Sequence, residues 1–365
     1  MDSSTILSSV AHTPIPLPDL VKRARIENPK MRERDLARQI GLSEAEFVAS
    51  FCGETVQRIE PRFDTLFPGL QDVGEVMALT RNESAVHEKI GVFERFIHGR
   101  KAALMLGKDI DTRMFPKNWI HGFAVERNVD GNIQRSLQFF DAYGEAVQKI
   151  HTRPATDRNR WDELVETLLS PDQSPKVSVL PYPTDPSSRR PTEHHLANAL
   201  RERWNALTDP HQFHGMLQDF DMHRLTAFEL AGADLAWKLD PGSPTALLRA
   251  AASEALPIMC FVGNRGCIQI HSGPVERIMD KGPWINVLDE RFHLHLRTDH
   301  IADVWAVRKP ADKEYVTSVE AFDRSGNQII QFFGVRQEGQ VERADWRDLV
   351  KHLPVLEQPV VLGGA

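Results

Sequence analysis

The chain repeats itself. Displaced by 182 residues along its own length, the segment from Asn82 to Ile150 falls on that from Asn264 to Phe332 without a gap. Asn82 meets Asn264, Gly91 meets Gly273, and Glu94-Arg95 meets Glu276-Arg277. Ala124-Val125 meets Ala306-Val307, Ser136 meets Ser318, and Phe140-Asp141 with Gly144 meets Phe322-Asp323 with Gly326. The identities gather at turn glycines and matched apolar positions, where backbone geometry and packing restrict the residue. The offset is half of the 365 residues, so one fold unit has been duplicated and fused.

Within each half, helical patterns precede strand patterns. Leu20 to Ser50 reads as short helices, with Gly41 as a stop and Ser43 as the next cap. From Gly74 the apolar period becomes two, through Val76 to Leu79, Ala102 to Leu106, Ile110 to Met114 and Ser136 to Phe140. Asp130-Gly131 predicts a hairpin turn. Trp161 to Leu169 has helical spacing, and Ser170 to Pro191 carries six prolines, the composition of a linker. A second helical block spans Leu196 to Ala252 and a second strand set Ile258 to Phe333. Strand runs uninterrupted by long helices predict antiparallel sheets and an α+β class. The expected boundaries are a flexible N-terminus over 1–19, repeats over 20–169 and 196–356, a linker over 170–195 and a tail over 357–365.

A net charge of −7 argues against a general binder of nucleic acid or anionic membranes. Three cysteines without a C-x-x-C pair suit a reducing compartment. The first residues lack a basic start and an apolar core, and no run is long enough to span a bilayer. A cytoplasmic protein without membrane insertion is expected.

Nucleotide-binding and hydrolase signatures are absent: no Gly-rich Rossmann or Walker fingerprint, no G-x-S-x-G, no H-E-x-x-H. Asp35 to Val48 resembles a helix-turn-helix, but its second helix would begin Ser43-Glu44-Ala45-Glu46, and two carboxylates repel a phosphate backbone. A helical hairpin covering a sheet is the alternative. His293 and His295 alternate on one strand face, either as a metal pair lacking an evident third ligand or as polar-face residues. Thr208-Asp209-Pro210-His211-Gln212-Phe213-His214 predicts a capped helix start with Pro210 at its first position and His211 in its first turn. There the helix dipole disfavours imidazolium and keeps the ring able to ligate a metal.

Taken together, these segments resemble the HemS-type haemin-degrading and haem-trafficking family of bacterial haem-uptake systems. The resemblance rests on Arg34-Asp35-Leu36-Ala37, Ala78 to Asn82, Ala85 to Glu88 and Ser136 to Asp141. It continues through Leu207 to Phe213, Phe261 to Cys267, Trp284 to Val287 and Arg308-Lys309-Pro310. It implies two repeats, each with a large antiparallel sheet and helices. It also implies haem b as ligand, cargo or substrate, with His211 as axial iron ligand and Arg113 as the distal, potentially catalytic group. Arg224, Lys309 and Arg336 would hold the propionates, with Gln331 close by. A neutral imidazole suits ferric iron, a guanidinium can donate to a distal ligand, and cations pair with carboxylates. On this reading iron sits between the halves, with Arg113 reaching it from the N-terminal sheet. Where the family pattern has a second phenylalanine after His-Gln-Phe, this chain has His214, a second group able to ligate iron.

The resemblance implies a carrier that accepts imported haem, with an importer and a haem oxygenase as partners. The alternative is an enzyme that opens the porphyrin with an external electron donor and releases iron. No flavin- or nicotinamide-binding fingerprint is present, and His214 offers a second ligation state for handover, so the carrier is preferred. His295, the repeat counterpart of Arg113, is a candidate ligand for a second, weaker haem.

Overall fold

The structure is a computed structural model that describes residues 17–99, 102–182, 194–312, 314–336 and 340–356. Most of the predicted N-terminal extension, residues 183–193 of the linker and the predicted tail therefore lie outside the described residues. The N-terminal half opens with three short helices, α1 (Leu17–Glu27), α2 (Glu33–Gln39) and α3 (Glu44–Ala49), then β1 (Val56–Ile59) and α4 (Phe63–Val73). Eight strands follow: β2 (Gly74–Arg81), β3 (Ala85–Gly91), β4 (Phe96–His98), β5 (Ala103–Leu106), β6 (Asp111–Met114), β7 (His121–Val129), β8 (Asn132–Phe140) and β9 (Ala146–Thr156). Helix α5 (Arg158–Leu168) closes the half.

The C-terminal half repeats this order. It runs α6 (Ala197–Asn205), α7 (Gln212–Asp219), α8 (Arg224–Ala231), β10 (Ala236–Leu239) and α9 (Ser243–Ser253). Its strands are β11 (Ile258–Gly263), β12 (Cys267–Gly273), β13 (Ile278–Lys281), β14 (Trp284–Leu288), β15 (Phe292–Arg297), β16 (Asp303–Pro310), β17 (Tyr315–Phe322) and β18 (Gln328–Gly334), before α10 (Ala344–Lys351). The predicted second helical block thus contains a strand, β10, between two helices.

The architecture is α+β: two nine-stranded antiparallel sheets flanked by helices. The strands do not stay within their repeats. One sheet has the order β1-β7-β8-β9-β2-β3-β15-β14-β13, and the other β10-β16-β17-β18-β11-β12-β6-β5-β4. Each half sends a three-stranded arm into its neighbour's sheet, through the pairs β3–β15 and β12–β6. Packing follows the chain while hydrogen bonding crosses it. Ala103, Met105 and Met114 of the N-terminal arm are buried with Phe67, Leu70 and Leu164 of α4 and α5. Ile285, Val287, Leu294 and Leu296 are buried with Leu247, Leu248 and Trp346 of α9 and α10.

Equivalent residues touch each other only on a twofold axis, and three such pairs locate it. His87 Nδ1 lies 3.0 Å from Gln269 Nε2, Lys89 Nζ 3.3 Å from His271 Nδ1, and Asp109 Oδ2 3.4 Å from Arg291, each pair 182 residues apart. Both repeated asparagines sew the halves together. The Asn82 amide donates to the carbonyls of Gly263 and Ile329, and Asn264 donates to those of Arg81 and Val147. The repeated Phe-Asp-x-x-Gly is a turn. Asp141 Oδ1 accepts the Tyr143 and Glu145 amides, Asp323 Oδ1 those of Ser325 and Asn327, and Gly144 and Gly326 supply φ of 75° and 84°. Asp130 and Gly131, both at positive φ, form the predicted β7–β8 hairpin turn.

The helix-turn-helix-like segment is a cover over the sheet. Ser43 and Glu46 make a reciprocal capping box, and α3 buries Ala45, Val48 and Ala49 against Phe123 and Val125 of β7. Glu44 is buried, 2.6 Å from Lys149 of β9.

Candidate functional site

Strand alternation places a specific set of side chains on one face of the sheet that ends in β4. Register pairs Lys309 with Val316, Glu320 with Gln331, Gln331 with Phe261 and Phe261 with Ile270. Ile268 then pairs with Arg113, and Arg113 with Leu104. Paired residues share a face. Helices α6–α8 cover the β16–β17 end, burying Trp305, Val307 and Phe322 against Trp204, Phe213 and Phe228. Beyond them Met259, Phe261, Ile268, Phe333, Leu104 and Leu106 are only half-buried. The result is an apolar floor with polar ends: Arg113 with Asp111 on one side, Gln331 and a buried charge cluster on the other. A cavity of about 630 Å³ at the junction of the halves reaches Phe261, Gly263, Ile268 and Gln331.

Glu320 organises the charge cluster. Its carboxylate accepts from Lys309 Nζ at 2.6 Å, Ser318 Oγ at 2.7 Å, Arg224 Nε at 2.7 Å and Gln328 Nε2 at 2.9 Å. Burial alone would raise the Glu320 carboxyl, but Arg224 and Lys309 outweigh it and hold it well below the usual carboxylate range. Burial draws Lys309 down to about 8, against the pull of Glu320, so both remain ionised at neutral pH. Two cations share one carboxylate, which leaves one positive charge uncompensated. Arg224 and Lys309 also lie over the Phe213 ring, 5.0 and 5.2 Å from its centroid. The first turn of α7 is thereby tied to the cluster.

Two residues before Phe213 stands His211. Helix α7 begins at Gln212, two residues later than the sequence predicts, with Pro210 and His211 in a preceding turn. Competition for the first amides explains the shift, since Asp209 Oδ1 accepts the His211 amide at 2.8 Å. The same oxygen lies 2.7 Å from His211 Nδ1. A carboxylate can only accept, so Nδ1 carries a proton, and in the neutral ring Nε2 is the nitrogen with the lone pair. Burial would raise Asp209, but the His211 bonds outweigh it, keeping the carboxyl ionised. The His211 side chain is 89% exposed, an imidazole with a fixed tautomer and an open Nε2. His214, one turn on, is exposed as well. Arg336 follows β18 and acts on Asp209 electrostatically.

The structure brings Lys309, Arg224 and Gln331 together and shows two of them already engaged. Sequence reasoning missed their counter-ion, Glu320; a carboxylate within Ser318-Val319-Glu320-Ala321-Phe322 was the available signal. One placement is corrected. Arg113 belongs to the N-terminal half by chain, but its strand β6 is hydrogen-bonded to β12 in the sheet of the C-terminal half. It therefore shares a face with Gln331 instead of approaching from the opposite sheet. His295 lies in the other sheet, its Nδ1 2.6 Å from Asn286 Oδ1, and His293 pairs with Glu88 at 3.0 Å. Among the described residues no three His, Cys, Asp or Glu side chains converge as a metal site.

The sequence matches the family described as haemin-degrading HemS.ChuX domain twice, over residues 41–168 and 221–353. The chain belongs to this HemS family. It is 37% identical over 332 residues to the hemin transport protein HmuS of Yersinia pestis, covering 91% of this chain and 95% of that protein. Among solved structures, holo-PhuS, a heme-binding protein from Pseudomonas aeruginosa, superposes with a TM-score of 0.90 at 41% identity, covering 94% of this chain and all of that one. ChuS, described as an E. coli heme oxygenase, superposes with a TM-score of 0.83 at 33% identity, covering 91% and 99%. The two HemS matches fall on the two structural repeats, each of which contains one exchanged arm.

Proposed function

We propose that this HemS-family protein binds one haem on the half-buried face of its C-terminal sheet and passes it on, with His211 as the axial iron ligand. The relatives support the class of ligand: PhuS is described as heme-binding and HmuS as a hemin transport protein. The observation that carries the site is His211, whose Nδ1 is held by Asp209 so that Nε2 is free to ligate. The residues fit the cargo. Phe261, Phe333, Ile268 and Leu104 offer an apolar surface to the macrocycle. The surplus positive charge of Arg224 and Lys309, with Gln331 and Arg336, suits two propionates. Arg113 reaches the distal side from the same sheet.

The carrier reading is preferred because the sequence carries no flavin- or nicotinamide-binding fingerprint and His214 offers a second ligation state for handover. An importer that delivers haem and an oxygenase that receives it are the implied partners, and the cytoplasm is the implied compartment. No helix among the described residues is long and apolar enough to cross a membrane. Degradation with an external electron donor remains the second reading, supported by the likeness to ChuS.

Reconstitution tests both. Haem titration should saturate at one equivalent with a Soret band that shifts and weakens in His211→Ala. Because His214 can substitute, His211→Ala/His214→Ala is measured alongside; wild-type spectra and affinity in both variants reject the ligand assignment. Addition of ascorbate to the holoprotein separates the activities: haem bands persist in a carrier and give way to a product band in an oxygenase.

A further inference from the structure

The internal twofold makes a second face, on the sheet of the N-terminal half, and its lining has changed character. Where one face carries Phe261, Gly263, Ile270, Gln331 and Phe333, the equivalent positions carry Leu79, Arg81, Glu88, Lys149 and His151. His295 stands in the place of Arg113, and Asn286 in that of Leu104. Around this face is a cavity of about 810 Å³ lined by seven arginines and lysines against four carboxylates, in a protein of net charge −7. We propose that this cavity, which meets the first at Arg34 and Arg81, is a site for a small compound bearing two or more phosphate or carboxylate groups, and not a second porphyrin site.

Pairing shows which cations are available. Glu33 answers Arg127, and Glu44 answers Lys149 at 2.6 Å. Arg34 and Arg135 pair with carboxylates at the rim or beyond it: Glu83 and Glu145 for the first, Glu126 and Asp162 for the second. Arg81 is different. Among the described residues it has no carboxylate at ion-pair distance, and its Nε donates only to the Asn82 carbonyl at 3.2 Å. Burial, then Arg34, lowers it to about 10, which leaves it a cation at neutral pH. A partly buried unpaired charge costs stability. The fold does not require it, because Gly263 holds the same place in the other repeat. Arg32 and Lys281 at the rim likewise lack carboxylate partners among the described residues, and His151, drawn by burial to about 4, stays neutral. Convergent cations without counter-ions suit an oligoanion. Leu79, Val86, Trp284 and Leu288 line the cavity too, but a macrocycle laid on them would also have to cover Arg81 and Glu88, whose equivalents on the other face are Gly263 and Ile270.

Calorimetric titration of the full chain with pyrophosphate and with citrate tests the assignment and separates phosphate from carboxylate recognition. One equivalent should bind, more weakly as salt rises, to apo- and haem-loaded protein alike. An ionic hydrogen bond is worth about 1.5–3 kcal/mol, so Arg81→Gln should weaken binding roughly ten- to hundredfold. Lys281→Gln, at an exposed position, should weaken it less and leaves the fold untested by the change. Retained haem stoichiometry and melting temperature show that the variants are folded. Three outcomes overturn the proposal: neither anion binds, both bind Arg81→Gln as tightly as wild type, or excess haem fills the cavity in a second spectral phase lost in His295→Ala.

Discussion

Replacing Glu320 by glutamine tests the charge cluster and the propionate reading together. The substitution keeps shape and removes the one carboxylate shared by Lys309 and Arg224. Lys309 is only 3% exposed and cannot turn to solvent, whereas the Arg224 side chain is 21% exposed and can partly relax. Removing one partner of a buried ion pair costs about 3–5 kcal/mol, and the exposure of Arg224 argues for the lower end, ~3 kcal/mol. At roughly 2 °C per kcal/mol for a chain of this size, the apo-protein should melt ~6 °C lower. The sign with pH is definite. A depressed carboxyl contributes stability above its unfolded value of about 4.3 and loses it as pH falls through the folded value. The deficit of the variant should therefore be complete at pH 7 and shrink only in strong acid.

Haem then reverses the deficit if its propionates meet these cations. Each ionic hydrogen bond gained is worth about 1.5–3 kcal/mol, so haem should raise the melting temperature of Glu320→Gln at least ~3 °C more than that of wild type. Differential scanning fluorimetry of apo- and holoprotein at pH 7 measures both shifts. Lys309→Met and the double variant complete a cycle, in which the double variant should be more stable than Glu320→Gln alone. An apo-protein that melts within 2 °C of wild type refutes the energetic role of the pair. Equal haem-induced shifts in the two proteins refute the clamp, whatever the apo stability.

Arg113→Ala should change the acid–alkaline transition of ferric holoprotein while leaving haem affinity within a few fold, since its contact is to a distal ligand; an unmoved transition removes Arg113 from the site. His214→Phe should slow transfer to an acceptor oxygenase more than it changes equilibrium affinity, because a second imidazole on the same helix offers a route by ligand exchange. Stopped-flow transfer at the wild-type rate excludes that route. Burial draws His151 to about 4, and burial with Lys89 draws His271 to about 3. Both are neutral in the fold and titrate near 6.5 when unfolded, so stability is lost as pH falls below about 6.5, by up to about 2 kcal/mol per histidine at pH 5. Melting temperatures at pH 7.5 and 5 should show the loss, with a shallower slope in His151→Gln.

The duplication and antiparallel class were legible because turn asparagines, turn glycines and period-two runs are local signals. The arm exchange was not. Strands β4–β6 and β13–β15 have the same apolar pattern whether they pair within their own half or across the axis, and their buried faces return to the core of their own half either way. Only the hydrogen-bonded edges differ, and backbone edges carry no sequence mark. The site was partly legible for the same reason. His211 and its cap lie within three residues, so Asp209 was visible as a helix-start residue. The Lys309–Glu320–Arg224 cluster is assembled by the β16–β17 register and the start of α8, and Arg113 joins the face only through the exchange.

That exchange also explains how one scaffold can hold two chemistries. A continuous sheet carries residues from both halves on one face, so each ligand surface is a composite: Arg113 completes the face of β16–β18, and His295 that of β7–β9. Equivalent positions could therefore diverge without altering a turn or a buried contact between the sheets. Leaving Phe261, Phe333, Ile268 and Leu104 half-exposed forgoes about 25 cal/mol for each Å² of apolar surface left uncovered. Helices α6–α8 could cover that surface only by extending across it, and they stop at the β16–β17 end. An open apolar floor beside a cationic end with surplus charge is the arrangement that the proposed haem site calls for. The N-terminal face breaks up its apolar residues, Leu79, Val86, Trp284 and Leu288, with Arg81, Glu88 and His151, and its unpaired Arg81 calls for charge.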